Sequence, residues 1–387
     1  MASLLVNFVY AHPVGHLIEA LHACAGYHAA DPQLRIGLAV NAASPVELAS
    51  LCPFIDAVYP VEIDLVDADF DARPALAGIP PEWDWVVGDG RGAQADQRRY
   101  FPGMARYYDE CHRYFQSARH IGYAGAVPPY YQRGGHFRLP LPTAERAEAD
   151  RLLGQGRPRI AVLPGGSGPR AHYPSVASWE LILDSLARRF PGAAICLTGK
   201  LRSDGRTSTT VDSAEFDRLA RRVENPVVAL DLPIVRQLAV VAACDVLVSP
   251  HSGFGMAALA VGTPWLSIAG NKWQEYYFNG TPFYSVLPDR HRFPCYNGMA
   301  PDPPLVEDDG PRSPSMCADR VRADLGAITE AAALLVERRL DYETALTDHV
   351  RRLLDFYGGD PKMVWSVDEV LAPVVKSVVA EAAKRRD

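Results

Sequence analysis

Between residues 159 and 269 the chain alternates short apolar runs with amphipathic stretches, and few folds accept that rhythm. The runs at 160–163, 194–198, 227–230, 246–249 and 265–269 are rich in Val, Ile, Leu and Ala. Their length suits a buried strand and falls short of a helix. The stretches between them repeat every three or four residues. In one, Val176, Trp179, Ile182, Leu183, Leu186 and Phe190 share a single face. Further helices are expected over 213–222 and 234–244, with a short one after the glycine turn near 253. Strands separated by helices pair in parallel, because a tight hairpin cannot join parallel neighbours. The expected result is a doubly wound α/β domain whose last strand is 265–269.

The first half repeats the pattern less cleanly. A strand is expected at 4–10, a turn at 11–15, and a helix from about His16 in which Leu17, Leu21, Cys24 and His28 share a face. Strands follow at 34–41, 57–60 and 83–87. Ser44 reads as a helix N-cap with Pro45 at the first helical position. Residues 101–135, rich in Tyr, His and Arg, read as helices and a surface loop. Prolines, a charged amphipathic stretch at 144–153 and the run Gly154-Gln155-Gly156 mark 139–158 as a hinge. Residues 287–315 read as a long proline-rich loop holding the acidic turn Glu307-Asp308-Asp309-Gly310. Long helices are expected at 318–339 and after Trp365. The expected division is 1–145 and 146–350, with closing helices at 351–387 able to return to the first domain.

Composition narrows the function. A chain of 387 residues, 48% hydrophobic, can bury two cores. A charged fraction of 22% argues against global disorder. The net charge of -7, with no basic face, argues against a nucleic-acid partner. The seven cysteines are odd in number and show no C-x-x-C spacing, which disfavours a disulfide framework or a zinc cluster. Cys24, Cys196 and Cys244 read as core packing. Cys295 and Cys317 flank the proline-rich loop without further metal ligands in sight. The set fits a reducing, cytoplasmic compartment. No run of about 18 apolar residues offers a membrane span. The apolar start, cut by His12 and Pro13, reads as a strand and not as a signal peptide.

Four segments carry candidate chemistry. Gly165-Gly166-Ser167-Gly168 joins a strand to a helix, where glycines let a phosphate approach backbone amides closely. It matches neither G-x-G-x-x-G nor the P-loop, so the NAD and ATP fingerprints are missing. His251-Ser252-Gly253-Phe254-Gly255 occupies the same kind of junction, with a helix N-terminus open to an anion. At the first such turn Gly15 precedes His16, with Glu19 on the same helix face. The positive end of a helix favours neutral imidazole, the form that takes up a proton, so His16 or Glu19 is a candidate general base. Lys272, within Asn271-Lys272-Trp273, is a candidate phosphate cation. Asp67 and Asp69 have metal-binding D-x-D spacing but read as surface charge.

The second half resembles the family 9 glycosyltransferases, typified by the bacterial heptosyltransferases. The resemblance rests on residues 164–179, on Cys196-Leu197-Thr198-Gly199 and on the run from Ala243 through Ser249-Pro250-His251-Ser252-Gly253 to Gly262-Thr263-Pro264. It implies a GT-B α/β fold, with two Rossmann-like domains whose parallel sheets face across a cleft. It also implies a nucleotide-diphosphate sugar bound by the second domain, and inverting transfer without a metal or other cofactor. Three positions depart from the family. His251 precedes Ser252-Gly253 where the family has aspartate. Arg170-Ala171-His172-Tyr173-Pro174 replaces its Lys-x-Trp-Pro, with Arg170 or His172 standing in for the lysine. His16 stands where the family's base is aspartate. These changes point to a hexose or heptose donor other than ADP-heptose. An Ala- and Arg-rich composition, as in high-GC bacteria, points to a small-molecule acceptor in antibiotic or other natural-product biosynthesis. A sugar-nucleotide epimerase on the same fold and a non-catalytic sugar-nucleotide binder remain the alternatives. The sequence fixes no oligomeric state.

Overall fold

The computed structural model describes residues 2–10, 13–122, 131, 136–202, 208–270, 279–295, 303–360, 364 and 371–384. The chain divides into two units, Met1–Pro140 and Leu141–Asp387.

In the first unit β1 (Ser3–Phe8) leads through the first turn into α1 (Val14–Ala30), then β2 (Arg35–Asn41) and β3 (Ala57–Val61). α2 (Ala72–Leu76), β4 (Trp85–Gly88), α3 (Ala95–Tyr100), α4 (Pro102–Tyr114) and β5 (Arg119–Ile121) follow. The strands form one parallel sheet in the order β3-β2-β1-β4-β5. Leu5, Val9 and Ala39 share a buried core with Met104, Tyr107, Tyr108, Cys111 and Phe115 of α4 and its C-cap. β5 was not legible: Arg119 and His120 are exposed, so this edge strand shows no apolar alternation. The expected helix capped by Ser44 is instead a 3-10 helix, Val46–Leu51, with Pro45 at its cap position and no side-chain cap.

The second unit opens with α5 (Thr143–Leu153). Its sheet is built from β6 (Arg159–Val162), β7 (Ala194–Gly199), β8 (Pro226–Leu230), β9 (Val246–Pro250), β10 (Trp265–Ile268) and β11 (Phe283–Val286). The helices between them are α6 (Val176–Arg189), α7 (Ser213–Ala220), α8 (Ile234–Ala242) and α9 (Gly253–Val261). All pairings are parallel, in the order β11-β10-β9-β6-β7-β8. Every residue of β6, β7, β9 and β10 is buried, as expected of a parallel sheet covered on both faces. α6 begins at Ser175, whose side chain accepts from the Ser178 amide, and α7 begins with a reciprocal Asp212–Glu215 capping box.

Three expectations are corrected here. The strand at 265 is not the last, because β11 continues the sheet beyond it. The 287–315 segment is not merely a loop. It contains the antiparallel pair β12 (Val306–Glu307) and β13 (Pro311–Arg312), and it buries Arg312, Ser313 and Ser315. Its acidic turn caps two helices. Asp308 accepts from the Ser175 hydroxyl at 2.8 Å and from the Ala318 amide, and Asp309 accepts from the Ala177 amide at 3.2 Å. Finally, between α10 (Ala318–Val336) and α12 (Leu371–Lys384) lies an additional helix, α11 (Tyr342–Phe356). Among the described residues no helix is long and apolar enough to cross a membrane.

Candidate active site

In open α/β sheets ligands gather at the carboxyl ends of the strands, where successive connections turn to opposite sides. Each unit has one such point within its sheet. In the first it lies between β1 and β4, and in the second between β6 and β9. Most of the described candidate residues sort onto these two points.

After β1 come Tyr10 and His16; after β4 come Asp89 and Arg91. His16 Nδ1 lies 3.1 Å from Glu19 Oε2, one helical turn on. Arg91 Nη2 donates to the same oxygen at 2.6 Å, and Arg91 Nη1 donates to Asp89 Oδ2 at 2.8 Å. The guanidinium also lies 5.0 Å over the Tyr10 ring, and Tyr10 meets His16 edge-on at 5.3 Å. Burial disfavours the Glu19 carboxylate, but the Arg91 charge and the His16 hydrogen bond overcome it and bring this carboxyl down to about 2. Burial pushes the Tyr10 phenol up, opposed in part by Arg91. Glu19 is thus an anion with two donors on one oxygen, a poor proton acceptor and a firm anchor. A carboxylate on Nδ1 fixes the imidazole with its proton on that nitrogen and leaves Nε2 as the acceptor. Below this cluster Tyr108 accepts from the Val9 amide and donates to the Asn7 carbonyl, tying α4 to the end of β1.

In the second unit Gly165, Gly166, Ser167 and Gly168 follow β6. The Trp179 indole donates to the Pro164 carbonyl at 2.8 Å, and Thr209 and Thr210 hold the carbonyls of Gly165 and Gly166. The Gly168 amide donates to Tyr173 Oη at 3.0 Å, so it is withdrawn from the expected set of phosphate-facing amides. A Cβ on Gly166 or Gly168 would meet that hydroxyl at 2.9 or 2.8 Å, which explains the glycines. Arg170 pairs with Glu215 and donates to the Thr210 carbonyl; His172 is half-buried. After β9, Ser252 caps α9 by accepting from the Gly255 amide at 3.3 Å. His251 packs against Trp265, with ring centroids 5.8 Å apart. Gly253 and Phe254, the first residues of α9, are half-buried. Gly255 has a packing role: a Cβ there would sit 2.2 Å from the Trp265 ring. Gly255→Ala is therefore expected to lower stability by about 1–3 kcal/mol, or more if the ring cannot shift, read from a denaturant midpoint at unchanged slope. Lys272 lies outside the described residues. Asp67 and Asp69 are exposed, and the Asp67 carboxylate accepts from the Asp69 amide within its own turn.

Asp89 and Arg91 were missed by sequence reading. The available signal was their position, in a glycine-rich turn directly after a strand. Among the described residues no group of three or more His, Cys, Asp or Glu side chains is placed to hold a metal ion.

No protein-family model and no curated protein matches the chain. Solved structures do. An Escherichia coli ADP-heptose lipopolysaccharide heptosyltransferase II is 16% identical, covering 86% of this chain and 100% of its own, with a TM-score of 0.51. A family 9 glycosyl transferase from Veillonella parvula is 13% identical, covering 87% and 98%, with a TM-score of 0.58. The E. coli heptosyltransferase WaaC, solved with ADP, is 14% identical, covering 86% and 100%, with a TM-score of 0.53. Likeness at this identity concerns the fold: the chain has the two Rossmann-like units of the GT-B architecture.

Proposed function

We propose that the chain is a glycosyltransferase that moves a hexose or heptose from a nucleotide-diphosphate sugar to a hydroxyl of a small natural-product acceptor. The observation that carries this reading is the pairing of loops at the second unit's switch point. The glycine loop after β6 and the N-terminus of α9 after β9 flank adjacent strands, the arrangement that receives phosphates in doubly wound sheets.

The two units divide the labour. Amides of the glycine loop and of Gly253 and Phe254 meet the charge that develops on the leaving diphosphate, so the protein itself supplies the electrostatic stabilisation. His16 Nε2 takes the proton from the acceptor hydroxyl. The oxygen bonds to the anomeric carbon as the bond from that carbon to the diphosphate oxygen breaks, through an oxocarbenium-like state and with inversion. Glu19 positions the imidazole and stabilises it once protonated, and Arg91 holds Glu19. The departures at Arg170, His172 and His251 from the family pattern support a donor other than ADP-heptose, and the Ala- and Arg-rich composition supports an acceptor outside lipopolysaccharide.

A panel of nucleotide sugars, incubated with and without small hydroxylated acceptors, tests the reaction class. Nucleoside diphosphate release that depends on acceptor is expected, with donor configuration unchanged when no acceptor is present. A donor that changes configuration when incubated alone would make the chain an epimerase.

A further inference from the structure

Arg312 has no part in the chemistry above, and its surroundings are unusual for a cation. It closes the β12–β13 hairpin and is only 2% exposed. Its Nη1 donates to the Arg170 carbonyl, just past the glycine loop, and its Nε is buried without a hydrogen-bond partner. Among the described residues, the three acids that act on it are engaged elsewhere. Glu215 pairs with Arg170 and completes the α7 capping box. Asp308 takes the Ser175 hydroxyl and the Ala318 amide. Asp309 takes the Ala177 amide and lies 3.8 Å from Arg218. Burial and the neighbouring Arg170 charge both press the Arg312 guanidinium down, and these acids offset that only in part. A buried guanidinium whose one hydrogen bond goes to a carbonyl is costly, and an anion beside it would offset that cost.

The glycine loop shortly before Arg170 has amides that can meet an anion. Gly166 is half-buried and Ser167 exposed, and among the described residues their amides have no hydrogen-bond partner. Arg170, one of the two residues expected to stand in for the family's lysine, is drawn off to Glu215. We infer that Arg312 is the buried cation of a phosphoanion site at the exit of the glycine loop, taking the diphosphate of a nucleotide. This rests on the donor-site reading above and names the residue that supplies its positive charge. At low exposure the guanidinium acts through a low effective dielectric, so its influence on a bound diphosphate is larger than that of a surface arginine.

Calorimetric titration of the full chain with inorganic pyrophosphate, and separately with nucleoside diphosphates, tests the site. Wild type is expected to bind pyrophosphate, Arg312→Gln to weaken it at least about tenfold, and Arg170→Gln to change it less than about threefold. Pyrophosphate binding that survives Arg312→Gln within threefold overturns the assignment. Should Arg312→Gln fail to fold, Arg170→Gln decides: loss of binding there moves the charge to Arg170, and retained binding supports Arg312. If pyrophosphate binds through Arg312 but no nucleoside diphosphate does, the anion site stands and the nucleotide-sugar reading falls. If nucleoside diphosphates bind equally to wild type and Arg312→Gln, the donor reading stands and Arg312 does not belong to it. If neither probe binds wild type, both are overturned.

Discussion

Replacing His16 with alanine is expected to lower kcat by about 100- to 10,000-fold, the usual worth of a positioned general base. The effect should fall on kcat more than on KM, because the imidazole acts on a proton that moves only in the transition state. His16 is partly exposed at the edge of its cluster, so the substitution should leave the unfolding transition cooperative. Turnover within a few-fold of wild type would show that another group takes the proton. Glu19 is the obvious rival by sequence. The geometry argues against it, because both Arg91 and His16 converge on one of its oxygens.

Replacing Glu19 with glutamine is expected to cost about 3 kcal/mol of stability at pH 7. A carboxyl that ionises near 4.5 when unfolded and at about 2 when folded stabilises the folded state by that order. The sign fixes the pH window. Because the folded value is the lower one, the contribution is complete above about pH 4.5 and disappears as pH falls towards 2. The stability gap between wild type and Glu19→Gln should therefore be widest at neutral pH and close between those limits, measured by urea unfolding at a series of pH values. A gap that does not change with pH would mean that the Glu19 charge is not what holds the cluster. Activity should fall as well, since the imidazole loses its anionic anchor, but by less than in His16→Ala.

What the sequence made legible follows from range and length. The buried strands of the second sheet are apolar on both faces, so they stand out as unbroken runs. The His16–Glu19 contact is three residues apart on one helix and could be read directly. Its partner Arg91 lies 72 residues from Glu19, and only the fold brings them together. Likewise the 45-residue separation of Arg170 and Glu215 hid the ion pair that occupies one of the expected phosphate cations. β11 is four residues long and flanked by Pro282 and Pro288, too little for a period to show. α11 is a different matter. Ala345, Leu346, His349, Val350 and Leu353 repeat at helical spacing, and Asp341 caps the helix by accepting from the Thr344 amide, so its signal was present. Arg312 was concealed by the composition of its proline-rich surroundings, which reads as a long loop.

The central claim is that the second unit's switch-point loops bind a nucleotide donor. Thermal unfolding of the full chain against ADP, GDP, UDP, dTDP and CDP tests it most directly. At about 100 times its dissociation constant, a ligand of the folded state adds about 2.7 kcal/mol, a rise of a few degrees in Tm for a chain of this size. One nucleoside diphosphate that stands clear of the others is the expected result, and it would name the donor's base. No rise with any of the five would contradict the donor site and leave only the fold.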